Sequence, residues 1–371
     1  MRPGPGECMQ NSFHIAVLPG DGIGPEITPR CLELLERATA RAGGPGLRFE
    51  TLPGGAGHYR QTGLSMPKEA RAAAAGADAI LLCAMGLPEV RYPDGREIAP
   101  QLELRFEYGL YAGVRPVRPI PGVRPILADP RARDIDYVIV RESTEGLFAP
   151  QAPGEIIEDR EARETLVLTR PTCEKLYDFC FRLAAERGRP GGKVTHVDKA
   201  NVFPAFHWAR GIFYERAPAF PQVAAEHAYV DAFAMHMVQK PWTIDVAVTE
   251  NMFGDILSDL GAALMGGLGY APSADIGDEH AVFQPCHGTA PDIAGQGLAN
   301  PTAMILSAAM MLEWLGERHG SAEAVRTGAL LRRAVEAAFA DGRLVTCELG
   351  GSAGTADVYR AVDAARQRLE P

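Results

Sequence analysis

Residues 14–43 read HIAVLPGDGIGPEITPRCLELLERATARAG, and the change of period inside this stretch decides the fold class. The run from His14 to Pro19 is short and apolar, as a buried strand is, and GDGIGPE breaks it with glycine and proline. From Ile27 onward apolar residues recur at helical spacing. Strand, glycine loop and helix in this order make one βα unit. The alternation continues, with buried strands predicted over 77–83 and 136–140 and helices around 172–187 and 325–340, so the chain is predicted to be an α/β protein.

The glycine loop is not a Rossmann fingerprint. That motif needs GxGxxG with an acidic residue about 20 positions on, and GDGIGPE has the wrong spacing. Two later segments, 255–269 (DILSDLGAALMGGLG) and 300–315 (NPTAMILSAAMMLEWL), are small and apolar enough for buried helices. The second has Asn300 as its expected N-cap and Pro301 at the first helical position. Residues 115–130 are rich in Pro and Arg, which suggests a domain crossing near residue 110, and no internal repeat is present.

Composition narrows the function. With 371 residues, 46% hydrophobic and 23% charged, the chain can bury a core of about two domains. A net charge of -10 and scattered Lys and Arg disfavour a nucleic-acid surface. The seven cysteines are widely spread without a CxxC pair, as reduced thiols in a cytosol are. The opening MRPGPGECMQNS lacks the basic and apolar regions of a signal peptide, and no run of about 18 apolar residues predicts a membrane span, so a cytoplasmic protein is expected.

Several side chains carry chemistry. In VTENMFGDILSD, Asp255 and Asp259 stand four residues apart on a predicted helix, so their carboxylates share a face. Mg²⁺ or Mn²⁺ between them would relieve the repulsion; open exposure to solvent is the alternative. Asp231 in YVDAFAMHMV is a third acid for such a site. Arg105, Arg115 and Arg141 lie at the ends of three elements, and Arg141 closes an apolar strand, where open α/β sheets place their ligands. Guanidinium forks of this kind can hold a dicarboxylate. Lys199, in THVDKANVF, is a proton carrier if a cation or burial lowers its pKa, and otherwise a surface partner of its neighbouring aspartate.

Taken together, LPGDGIGPE, VRE-x-TEG, VDKANV, NMFGDILSD and HGTAPDIAGQGLANPT, in this order, resemble the isocitrate and isopropylmalate dehydrogenase family of β-decarboxylating dehydrogenases. The resemblance implies a non-Rossmann α/β fold with a mixed central sheet. It also implies a discontinuous cofactor-side domain (1–110 plus 266–371) and a substrate and dimerisation domain (111–265). A homodimer would share its active sites, with Asp255 and Asp259 as metal ligands and Asp231 offered by the partner subunit. Arg105, Arg115 and Arg141 match the family's substrate arginines, with Gln101 and Phe148 beside them, and Lys199 matches its catalytic lysine, paired in the catalytic set with Asp231. His287, Gly288, Ala290 and Asn300 would line the adenosine pocket, and Asp292 falls where NAD-using members place an acid on the ribose.

The sequence also departs from the family. Phe148 replaces a tyrosine that is thought to protonate the enol carbon after decarboxylation, and Gln284 replaces a common glutamate. In IAPQLEL, Ala99 stands where isocitrate enzymes tend to have a serine, and Gln101 breaks an apolar pair. Leu102 and Leu104 lean towards an apolar group on carbon 3 of the substrate. The expected function is NAD-dependent, metal-assisted oxidation of a malate-type 2-hydroxy dicarboxylate. A 3-alkylmalate such as 3-isopropylmalate ranks first, then tartrate or D-malate, then isocitrate. Oxidation without decarboxylation and a non-catalytic regulatory subunit stand as alternatives.

Overall fold

A computed structural model describes residues 12–40, 44–151 and 154–370. Cys8 and most of the opening segment lie outside the described residues, as do 41–43 at the end of the first predicted helix. The chain runs β1 (Ser12–Gly20), α1 (Gly24–Thr39), β2 (Gly46–Thr51), α2 (Ala56–Thr62), α3 (Lys68–Ala75), β3 (Ala79–Ala84) and α4 (Pro100–Glu107). It continues through β4 (Ala112–Val117), β5 (Tyr137–Glu142), β6 (Glu155–Ile157), β7 (Glu161–Arg163), α5 (Arg170–Arg187), β8 (Lys193–Asp198), α6 (Pro204–Arg216), β9 (Ala224–Tyr229) and α7 (Val230–Gln239). Then come β10 (Val246–Thr249), α8 (Asn251–Met265), β11 (Pro272–Ile276), β12 (Ala281–Pro285), α9 (Thr302–His319), α10 (Ala322–Phe339) and α11 (Thr355–Leu369).

Ten strands form one mixed sheet in the order β2-β1-β3-β12-β11-β4-β5-β10-β8-β9. The flanks are parallel, whereas β12, β11, β4 and β5 pair antiparallel with one another. Strands from both ends of the sequence therefore occupy one side of the sheet, and strands from its middle occupy the other. α8 and α9 explain their small apolar composition, because most of their faces are buried. No helix among the described residues is long and apolar enough to cross a membrane.

Three expectations move. α1 begins at Gly24, inside GDGIGPE, so the loop is shorter than its glycines suggest. α9 starts at Thr302 with Pro301 as N-cap; the Asn300 Oδ1 still accepts from Thr302 N at 3.1 Å, one position out of the expected register. Leu104 is fully buried in a core cluster with Leu18, Leu82 and Leu110, so it packs into the interior and not against a cleft.

The glycine loop acts as a brace. Asp21 accepts from the backbone N–H groups of Ala56, Gly57 and Gly86, tying two segments to one carboxylate. Ile23 N donates to Thr289 O at 2.8 Å, and Glu26 accepts from Gly295 N at 2.9 Å and Thr355 Oγ1 at 2.6 Å. The loop over 287–300 is thus anchored to the start of α1.

Candidate active site

The antiparallel centre of the sheet sets out the charged groups. Gly113 on β4 pairs with Arg141 on β5 and with Asp275 on β11, and directly paired residues share a face of the sheet. Arg115, two residues after Gly113, shares that face, as does Gln284 on β12 through its pairing with Ser273. Arg105 reaches the same cluster from the last turn of α4. Gly113 is bare for a reason: a Cβ there would lie 2.5 Å from Ser143 Oγ and 3.2 Å from Asp275 Oδ1.

All three predicted arginines are buried and near enough to influence one another's charge. Arg105 Nε donates to Asp275 Oδ2 at 3.1 Å. Arg141 Nε donates to Asn251 Oδ1 at 2.8 Å, its Nη1 bonds Asp255, and Phe148 packs against the guanidinium at 5.2 Å. Burial, with repulsion from Arg105, lowers the Arg141 pKa to about 10. Arg115 Nη1 stands 3.2 Å from Cys286 Sγ, and its Nε is buried without a hydrogen-bond partner. Gln101 lies on the α4 face that carries Arg105, and its Oε1 is likewise buried and unpartnered.

α8 supplies the acids. Its N-cap Glu250 accepts from the N–H groups of Met252 and Phe253, and Asn251, Asp255 and Asp259 follow at four-residue spacing on one face. Gly254 lets the helix lie against β5, since a Cβ there would come within 2.6 Å of Arg141 Cβ. Asp255 and Asp259 are both exposed in the single chain, yet partial desolvation, and then the neighbouring Asp255, push the Asp259 carboxyl up. Such a pair of hard oxygen donors, repelling each other beside an apolar helix face, fits a divalent cation.

Lys199 and Asp231 form their own pair. Parallel pairing brings Asp198 on β8 opposite Tyr229 on β9, so the residues that follow meet beyond the strand ends, with Lys199 Nζ 2.7 Å from Asp231 Oδ1. The bond to Lys199 holds the Asp231 carboxyl below its usual range. Asp231 is exposed, and no three His, Cys, Asp or Glu among the described residues come together to hold a metal within one chain.

In the predicted cofactor loop, His287 Nδ1 stands 2.8 Å from Gly288 O while its Nε2 is buried and unpartnered. Ala290 has φ 37°, a left-handed conformation uncommon for a residue with a Cβ. Asp292 is exposed. The Asn300 side chain is committed within the protein, donating to Glu348 Oε1 at 2.6 Å and accepting from Thr302.

Sequence reasoning overlooked Asp275, Asn251 and Ser143. The signal for Asp275 was an acid in the otherwise small and apolar strand PSADI, and Asn251 stood unremarked inside NMFGDILSD.

Buried arginines at the antiparallel centre of a mixed sheet, facing carboxylates on an adjoining helix, define an enzyme site for a small polyacid. The isocitrate/isopropylmalate dehydrogenase family model matches residues 14–362. The 3-isopropylmalate/3-methylmalate dehydrogenase of Methanocaldococcus jannaschii is 42% identical over 355 residues, covering 94% of this chain and 97% of that protein. The 3-isopropylmalate dehydrogenase of Moorella thermoacetica is 42% identical over 324 residues, 84% and 88% of the two chains. Among solved structures, isocitrate dehydrogenase from Methylococcus capsulatus superposes with a TM-score of 0.82 at 34% identity, over 95% of this chain and 99% of that one. A β-decarboxylating dehydrogenase from Thermococcus kodakarensis, in its apo form, gives 0.78 at 35% identity over 96% and 97%. The chain belongs to the isocitrate/isopropylmalate dehydrogenase family, and it is a decarboxylating dehydrogenase.

Proposed function

We propose that this enzyme oxidises and decarboxylates a 3-alkylmalate, best represented by 3-isopropylmalate, with NAD as hydride acceptor and Mg²⁺ or Mn²⁺ at Asp255 and Asp259. The observation that carries the reading is the buried row of Arg105, Arg115 and Arg141 beside those aspartates, with Arg115 Nε left unpartnered. A buried donor without a partner is costly, and a bound carboxylate satisfies it. The names of the relatives from M. jannaschii and M. thermoacetica support the alkylmalate.

In this account the arginine forks hold the two carboxylates of the diacid and fix the orientation of carbon 2. Lys199 takes the proton of the 2-hydroxyl, with Asp231 as its partner. Phe148 shields the Arg141 guanidinium from water but has no O–H to donate. A divalent cation at the acids would supply Lewis-acid polarisation of the substrate oxygen and stabilise enolate charge. NAD would be held by His287, Gly288, Ala290, Asp292 and Asn300. The unpartnered His287 Nε2 and the left-handed Ala290 fit a loop shaped for a ligand, and the exposed Asp292 carboxylate would repel a 2′-phosphate.

The same reading makes the enzyme a homodimer. Because Lys199 is bonded to Asp231, a partner subunit that offers the aspartate brings the lysine with it. Val202, Phe203, Trp208, Met235, Val238 and Ile256 are large apolar side chains left exposed in the same stretch of chain, as an uncovered interface would be. The chain would divide into 1–110 plus 266–371 and 111–265, with the arginines where the two meet. The free thiols of Cys31, Cys83, Cys173, Cys180, Cys286 and Cys347 suit a cytoplasmic enzyme.

Initial rates with NAD⁺ and Mn²⁺ on 3-isopropylmalate, D-malate, tartrate and isocitrate test the substrate. The reading expects the highest kcat/KM on 3-isopropylmalate. A maximum on isocitrate or tartrate would overturn it, and no NADH from any acid would indicate a non-catalytic subunit.

A further inference from the structure

Asp275 is fully buried at the centre of the arginine cluster. Its Oδ2 accepts from Arg105 Nε at 3.1 Å and from Gln284 Nε2 at 2.7 Å, and its Oδ1 accepts from Ser143 Oγ at 3.2 Å. We propose that Asp275 is a positioning and specificity-determining residue, which fixes the Arg105 fork and cancels one of three buried positive charges so that the cleft accepts two substrate carboxylates and disfavours a third.

The argument is one of charge. Burial alone would raise the Asp275 carboxyl, but Arg105, Arg115 and Arg141 outweigh it and keep the group ionised. With Asp255, which bonds Arg141, and Asp259 neutralised by the divalent cation proposed at them, three guanidinium groups against Asp275 would leave two buried positive charges, which a dicarboxylate neutralises. A tricarboxylate would bring one anion beyond what the cluster can pair, and an unpaired buried charge is strongly disfavoured. Asp275 also occupies Arg105 Nε, which leaves the terminal nitrogens of the fork for substrate.

Gln284 belongs to the same device. Its amide N–H₂ donates to Asp275, so the pair bears one negative charge. Glutamate at 284 alongside Asp275 would set two carboxylates at hydrogen-bonding distance, and one would have to take up a proton. The swap D275N/Q284E moves the single charge across that hydrogen bond and keeps its number.

The inference rests on the dicarboxylate reading above, and the experiment separates the two. Wild type, D275N and D275N/Q284E are assayed with NAD⁺ and Mn²⁺ on 3-isopropylmalate and on isocitrate, with thermal melts of each. D275N should lose about 10- to 100-fold in kcat/KM on 3-isopropylmalate, mostly through KM. It should lose less on isocitrate, so the ratio between the substrates narrows about 10-fold, while the KM for NAD⁺ stays unchanged. The double variant should restore the wild-type ratio to within a few-fold. Equal losses on both acids without rescue would reduce Asp275 to a structural residue and overturn the inference alone. If D275N does not fold, the double variant decides by itself, since a changed ratio there contradicts the charge argument. A wild type inactive on both acids removes the functional reading, and this inference with it.

Discussion

Lys199 Nζ lies 2.7 Å from Asp231 Oδ1, although the two residues are separated by the whole of α6. The parallel register of β8 and β9 imposes this pairing, and it makes the lysine and the aspartate one unit. If Lys199 is the proton carrier, Lys199→Ala should lower kcat by about 10²- to 10⁴-fold with little change in melting temperature. Lys199→Arg keeps the charge but cannot give up its proton, and should be nearly as slow. Steady-state rates against pH check this; full turnover in the alanine variant would exclude the role.

Arg141 is held by Asn251 and Asp255 in an orientation that a lysine cannot copy. Arg141→Lys should cost about 10- to 100-fold in kcat/KM for the acid substrate, chiefly in KM. The KM for NAD⁺ serves as the internal control.

Asp259 shares its helix face with Asp255, which adds to the cost of ionising Asp259. Asp259→Asn should weaken Mn²⁺ binding by about 10-fold or more, as read by calorimetric titration. An unchanged Mn²⁺ affinity would place the cation elsewhere.

Glu142 gives a pH signature. Burial pushes its carboxyl up to about 7, against donors from Thr144 and Glu145 that pull it down. The unfolded value is about 4.3, so between that pH and about 7 the folded state holds the extra proton and stability falls as pH rises. Glu142→Gln should therefore lose less melting temperature than wild type between pH 5 and 7.5. Parallel curves for the two proteins would contradict the assignment.

Met235 and Val238 lie exposed on α7, the helix that carries Asp231. Met235→Glu should shift the protein from dimer to monomer in light scattering and abolish turnover, since one chain does not assemble the three acids. A monomeric and fully active variant would refute the shared site.

What was legible in the sequence was local. The strand, loop and helix at 14–39 announce themselves by period, and Asp255 and Asp259 follow from helix geometry alone. Arg141 was visible because it closes an apolar strand. Asp275 was not, because its importance depends on the pairing of β11 with β4, strands roughly 160 residues apart in the chain. Leu104 was misplaced for a similar reason: a leucine beside a binding helix faces core or cleft according to which side of the helix is covered, and packing decides that. Asn300 was picked out, but the bond from its amide to Glu348, 48 residues later, could not be read from the local sequence.

The most direct test of the account measures NADH and carbon dioxide together, from 3-isopropylmalate and NAD⁺, with and without Mn²⁺. The account predicts equal amounts of both products and little of either once the metal is chelated. NADH without carbon dioxide, or an undiminished rate in chelator, would contradict it.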